Sequence, residues 1–104
     1  MARVGFKMKI LPGTEKEYQR RHDEIWPELS ALLKETGISA YSIFLDEATN
    51  DLFAIFTSAD EVALNNLPNS PIMRKWWDYM STVSIVNPDN SPVVTPLKEV
   101  FYLA

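Results

Sequence analysis

The order strand–helix–strand–strand–helix–strand predicts an α+β fold for this 104-residue chain. Three observations carry that expectation. Arg3 to Ile10 alternates apolar and polar residues, the signature of a half-buried strand. Two Ser/Thr-x-x-Glu spacings, Thr14 with Glu17 and Ser58 with Glu61, have the form of capping boxes that open helices. Between and after the helical stretches lie runs rich in Ile, Val, Tyr and Phe.

Each element follows from local chemistry. Val4, Phe6, Met8 and Ile10 form one face of the first strand, with Arg3, Gly5, Lys7 and Lys9 on the other, and Pro12-Gly13 breaks it. A helix is expected from Glu15, its apolar face running through Tyr18, His22, Ile25 or Trp26, and Leu29 to Leu33. Pro27 removes one helical hydrogen bond, so the helix kinks or restarts there, and Gly37 ends it as the first residue beyond the cap. Ile38 to Asp46 reads as the second strand, Asp46 to Asp51 as a polar hairpin connection, and Leu52 to Thr57 as the third strand. Strand two offers Ile43 and Leu45 on one side and Ile38 and Phe44 on the other. The second helix is split: one piece opens at Ser58 and stops at Pro68, the next starts at Ser70-Pro71 and reaches about Met80. Residues 87 to 96 are proline-rich and read as an ordered irregular loop, and Leu97 to Leu103 as the last strand. This is the ferredoxin-like split βαβ arrangement, a single domain over 1–104. Helices then cover one sheet face. The other face also carries apolar residues, which predicts a homodimer packed through it.

Composition narrows the function. Hydrophobic residues make up 46% and charged residues 23%, a globular balance. The net charge of −4 argues against nucleic acid, whose phosphates need a basic face. With no cysteine there is neither a disulfide framework nor a thiolate nucleophile. One histidine without a His-x-x-x-His spacing leaves no metal-ligand pattern. No apolar run approaches the roughly 18 residues of a membrane span, and no secretory leader is visible, so the cytoplasm is the expected compartment.

His22 is therefore the one side chain whose unperturbed pKa suits proton transfer near neutrality. It lies one helical turn after Tyr18, on the same face. An imidazole beside a phenol can move protons between ligand oxygens. A core histidine satisfied by tyrosine or backbone is the commoner origin of such a pair. Trp76-Trp77 is a second unusual feature. Adjacent helical residues point about 100° apart, so one ring can pack in the core while the other lines a pocket wall. From composition alone, two core tryptophans are the better reading. Tyr41 points to the space between sheet and helix if it shares a face with Ile43 and Ser39. Arg20, Arg21, Asp23 and Glu24 read as a solvated face with ion pairs such as Glu17 with Arg21. Asn87 to Pro92 reads as turn chemistry that a ligand can also use.

In these same residues the chain resembles the L-rhamnose mutarotase family. The matching stretches are Glu17 to His22, Ile25 to Leu29, Tyr41 to Asp46, Trp76-Trp77 with Tyr79-Met80, Asn87 to Val93 and Glu99 to Leu103. Ser58 to Ser70 contributes nothing to the likeness. The resemblance implies a cytoplasmic, dimeric α+β barrel of ferredoxin-like halves that interconverts the α and β anomers of L-rhamnose without metal or organic cofactor. By position it makes His22 the proton donor and Tyr18, Tyr41, Trp76 and Trp77 sugar contacts. The competing class is a small dimeric barrel monooxygenase or haem-binding protein, with His22 as axial ligand. A third is a sugar-binding regulator without catalysis.

Overall fold

The computed structural model describes residues 2–104. Strands β1 (Ala2–Lys9), β2 (Ile38–Asp46), β3 (Asp51–Ser58) and β4 (Thr95–Leu97) form one antiparallel sheet in the order β2-β3-β1-β4. Helices α1 (Glu15–Asp23), α2 (Pro27–Glu35), α3 (Glu61–Asn66) and α4 (Pro71–Met80) fill the two crossovers, with a short 3-10 turn at Leu67–Asn69. This is the expected ferredoxin-like topology.

Proline sets two helix starts. Pro27 and Pro71 both occupy the first helical turn, where the missing N–H costs nothing. The first helix therefore does not kink at Pro27 but ends at Asp23 and restarts. Gly37 lies just past α2 at φ 88°, and its N–H donates to the Lys34 carbonyl at 3.0 Å. A Cβ there would stand 3.3 Å from that of Ala59.

Both expected capping boxes are absent. The Thr14 hydroxyl donates instead to the carbonyls of Leu11 (2.6 Å) and Val83 (3.1 Å), tying the helix entry to the chain after α4. Glu17 turns to Arg20 and Arg21. Ser58 is the buried last residue of β3, its Oγ without a hydrogen-bond partner among the described residues. The cap of α3 is Asp60, whose carboxylate accepts from the Ala63 N–H at 3.1 Å.

The last strand is also shorter and earlier than expected. Only Thr95–Leu97 pairs with β1, and Lys98 to Ala104 forms no strand. Pairing stops at Gly5, although β1 continues through Val4 and Arg3 to Ala2. Arg3 instead holds the tail through side chains, donating to Glu99 at 2.8 Å and lying 4.3 Å over the Tyr102 ring.

Directly opposed residues share a sheet face. The register therefore groups Leu52, Ala54, Phe56 and Ser58 of β3 with Met8, Phe6, Val4 and Ala2 of β1 on the helix-covered face. Ile38, Ile43 and Leu45 join them, opposite Ser58, Ala54 and Leu52. Ile38 was expected on the Phe44 side. A β-bulge between Ser39 and Ser42 inverts the alternation and brings it inward. The same bulge leaves Ser39 on the outer face, away from Tyr41 and Ile43. The outer face carries Phe44, Phe53, Ile55 and Leu97, with Phe44 64% exposed. Between the helices, Leu29, Met73, Trp76, Met80 and Val83 form the main buried cluster.

Candidate active site

A cleft of about 1450 Å³ separates the helices from the inner sheet face. A smaller recess of about 90 Å³ shares part of its lining. Tyr18, His22, Tyr41, Trp76 and Trp77 all line both. Five positions spread over α1, β2 and α4 thus converge on one place.

Helix α1 sets Tyr18 and His22 one turn apart, and their rings stack with centroids 4.5 Å apart at 30°. His22 Nδ1 lies 3.1 Å from the Tyr18 backbone carbonyl. A carbonyl can only accept, so Nδ1 carries the proton and a neutral His22 keeps a free lone pair on Nε2. Burial lowers the His22 pKa from its ordinary 6.5, opposed by the Tyr18 carbonyl and Asp23. The imidazole is accordingly neutral at pH 7.

The two phenols behave in the opposite sense. Burial, and then the neighbouring Tyr41, raise Tyr18 well above its ordinary 10. Burial pushes Tyr41 up to about 12, although the residue is 40% exposed. The Tyr41 ring packs 5.2 Å from Phe56 inside the cleft. Both phenols remain protonated donors at neutral pH.

Helix α4 separates the tryptophans as helical geometry requires. Trp76 is 6% exposed, and its ring meets His22 edge-on at 5.5 Å and 90°. Trp77 is half-buried and carries the Arg74 guanidinium 5.2 Å over its ring. Trp76 is therefore both core and wall.

Trp26 was not singled out in the sequence as part of the site. It packs edge-on against Trp76 at 5.1 Å and stacks on Tyr79 at 5.6 Å, so it backs the His22–Trp76 contact. Its place before Pro27 gave no sign beyond an apolar face. Met8, Ile43, Leu52 and Met73 supply an apolar wall. Asn90 and Pro92 bring the 87–92 loop to the rim. That loop is a turn, closed by Asn87 N–H to Ser91 carbonyl at 2.8 Å, and Asn90 at φ 68° donates from its amide to Asp78. Arg21 departs from the expected solvated face. Besides its ion pair with Glu17 it reaches the Tyr79 carbonyl at 2.6 Å, bracing α1 against α4. Among the described residues no three His, Asp or Glu side chains come together as metal ligands, and no helix is long and apolar enough to cross a membrane.

The chain is a ferredoxin-like α+β protein whose cleft brings together one neutral imidazole, two protonated phenols and aromatic walls. The family model described as L-rhamnose mutarotase matches residues 3–103, and the chain belongs to that family of isomerases. It is 52% identical over 103 residues to an L-rhamnose mutarotase of Formosa agariphila, covering 99% of each chain. It superposes on the crystal structure of an L-rhamnose mutarotase from that organism with TM-score 0.94, at 50% identity and full coverage of both chains. A crystal structure of an antibiotic biosynthesis monooxygenase is similar at TM-score 0.52 and 17% identity, covering 96% of this chain and 99% of that one. That likeness shows the fold alone.

Proposed function

We propose that this domain interconverts the α and β anomers of L-rhamnose, with His22 moving the proton and Tyr18, Tyr41, Trp76 and Trp77 holding the sugar. The observation that carries the reading is the Nδ1 contact to the Tyr18 carbonyl, which leaves Nε2 of a neutral imidazole as a base in the cleft. In ring opening, Nε2 takes the proton of the anomeric hydroxyl. The bond from C1 to the ring oxygen breaks as the C1 carbonyl forms. The ring oxygen gains a proton from a phenol or through water. The aldehyde then turns. In closure the ring hydroxyl attacks the other carbonyl face and returns its proton to the phenol or water, while the imidazolium delivers its proton to the new anomeric oxygen. His22 is thus the donor in the second half because it is the acceptor in the first. Positioned groups of this kind contribute about 10²–10⁴-fold. No step calls on a metal or organic cofactor.

The raised pKa values of Tyr18 and Tyr41 support their role as hydroxyl donors to sugar oxygens. The tryptophan rings suit the apolar face of a pyranose. The wall of Met8, Ile43, Leu52 and Met73 suits the 6-methyl group that distinguishes rhamnose from sugars with a 6-hydroxyl. Such a wall discriminates by roughly 1–3 kcal/mol.

Two copies packed through the outer sheet face complete the proposal as a dimeric α+β barrel. Its support is the exposed Phe44, Ile55 and Leu97 on that face and the exposed Val100, Phe101 and Leu103 beyond it. The compartment proposed for it is the cytoplasm, as membership of the L-rhamnose mutarotase family suggests.

Exchange NMR on L-rhamnose with catalytic amounts of protein tests the activity. Exchange between the anomer signals should accelerate over buffer, and less so for 6-hydroxy aldoses. Sugar binding with exchange at the buffer rate would instead indicate a regulator. A Soret band on adding haem, without exchange, would indicate the monooxygenase-like class.

A further inference from the structure

Ile38 and Tyr41 stand three residues apart on β2, an odd spacing that a regular strand places on opposite faces. Yet both face the helices. Ile38 is buried opposite Ser58, and Tyr41 packs on Phe56 with ring centroids 5.2 Å apart. The register shows how. Ser39 pairs with Thr57 and Ser42 with Ile55, so Ala40 and Tyr41 together oppose the single residue Phe56. Ala40 takes the left-handed conformation at φ 52°, which residues other than glycine and asparagine seldom adopt. The strained residue is therefore the one that absorbs the odd spacing.

We infer that Ala40 is a positioning residue: its left-handed bulge resets the phase of β2 so that Tyr41 enters the cleft while Ile38 keeps its place in the core. Without the bulge the strand must choose. Keeping Ile38 inward turns Tyr41, Ile43 and Leu45 to the outer face; keeping Tyr41 inward expels Ile38. Downstream of the bulge, Ile43 pairs with Ala54 and Leu45 with Leu52, so the cleft wall depends on the same reset. The claim rests on the proposed role of Tyr41 as a sugar contact, and the experiment separates the two.

Ala40→Val places a β-branched side chain where left-handed backbone is most disfavoured. Ala40→Gly relieves the strain and keeps the bulge. Deleting Ala40 removes the bulge but leaves Tyr41 opposite Phe56, because Ile38, Ser39 and Tyr41 then alternate without interruption. Two quantities are read: L-rhamnose affinity by NMR titration, and the nuclear Overhauser contacts between the Tyr41 and Phe56 rings in tyrosine-labelled protein. Ala40→Val should weaken the sugar at least tenfold and lose the ring contacts. Ala40→Gly and the deletion should keep both within about twofold, a rescue that general loosening of the strand does not produce. Native ring contacts and affinity in Ala40→Val would overturn the assignment. So would loss of the ring contacts in the deletion, which decides the matter even if Ala40→Val fails to fold. Tyr41→Ala serves as the control: unchanged sugar affinity there would remove Tyr41 from the sugar site, while the ring contacts still judge Ala40.

Discussion

Truncating the two adjacent tryptophans should give unequal results. Trp76 is 6% exposed and packs against three aromatic rings: His22 at 5.5 Å, Trp26 at 5.1 Å and Tyr79 at 5.7 Å. Removing a buried tryptophan costs about 3–5 kcal/mol through lost burial and the cavity left behind. Its aromatic contacts, worth about 0.5–1.5 kcal/mol each beyond burial, place Trp76→Ala in the upper part of that range. Such a loss is a large share of the roughly 5–15 kcal/mol that holds a domain folded. Trp77 is half-buried, and its cation–π contact with Arg74 is worth about 0.5–1 kcal/mol at an exposed site. Trp77→Ala should therefore cost about 1–2 kcal/mol, an ordinary value for a substitution outside the core. Urea unfolding followed by far-UV dichroism measures both, and sugar titration of each folded variant measures affinity. Both variants should bind L-rhamnose more weakly. Equal stability losses, with affinity unchanged in both, would refute the division into one core-and-wall ring and one wall ring.

The pH dependence follows from His22. Its lowered pKa means that the rate should be flat through neutrality and fall as the imidazole protonates, with the bend below 6.5; a bend at or above 6.5 in the pH–rate profile would contradict the buried neutral base. Stability has the same sign, because the unfolded chain takes up the proton more readily: this contribution is complete above 6.5 and is lost as pH falls through the folded value, measurable by urea midpoints across that window. Gly37→Ala should destabilise by about 1–2 kcal/mol, since φ is 88° and the added Cβ meets Ala59, and an unchanged thermal midpoint would count against the left-handed cap. Sedimentation at micromolar concentration should give about twice the 11.9 kDa chain mass, and a folded monomer would remove the proposed pairing of outer sheet faces.

Much of this was legible because it depends on neighbours in sequence. The limits of β2, the start of α4 at Pro71 and the stop at Gly37 follow from β-propensity, proline geometry and glycine's access to positive φ. The convergence of Tyr18 with His22 is a matter of one helical turn. What escaped depends on tertiary partners. Thr14 and Ser58 each had a Glu three residues on, but the Thr14 hydroxyl found carbonyls at Leu11 and Val83, and Ser58 was claimed by the strand. The run Leu97 to Leu103 has strand composition, but backbone pairing with β1 ends at Leu97 and the tail beyond it meets Arg3 through the side chains of Glu99 and Tyr102. The bulge at Ala40 left no local mark, since Ser39-Ala40-Tyr41 reads as a plain strand in either phase. Trp26 was read as part of an apolar helix face, and only the packing of α2 against α4 reveals it behind Trp76.

The central claim is that His22 carries the proton, and anomer-exchange NMR on the native protein and on His22→Asn tests it most directly. Asparagine keeps hydrogen bonding but does not titrate. Exchange of L-rhamnose anomers should fall by about 10²–10⁴-fold in His22→Asn while the sugar still binds and the fold persists, with Tyr18→Phe falling less. Exchange at the native rate in His22→Asn would contradict the account and move the proton to a phenol or a carboxylate.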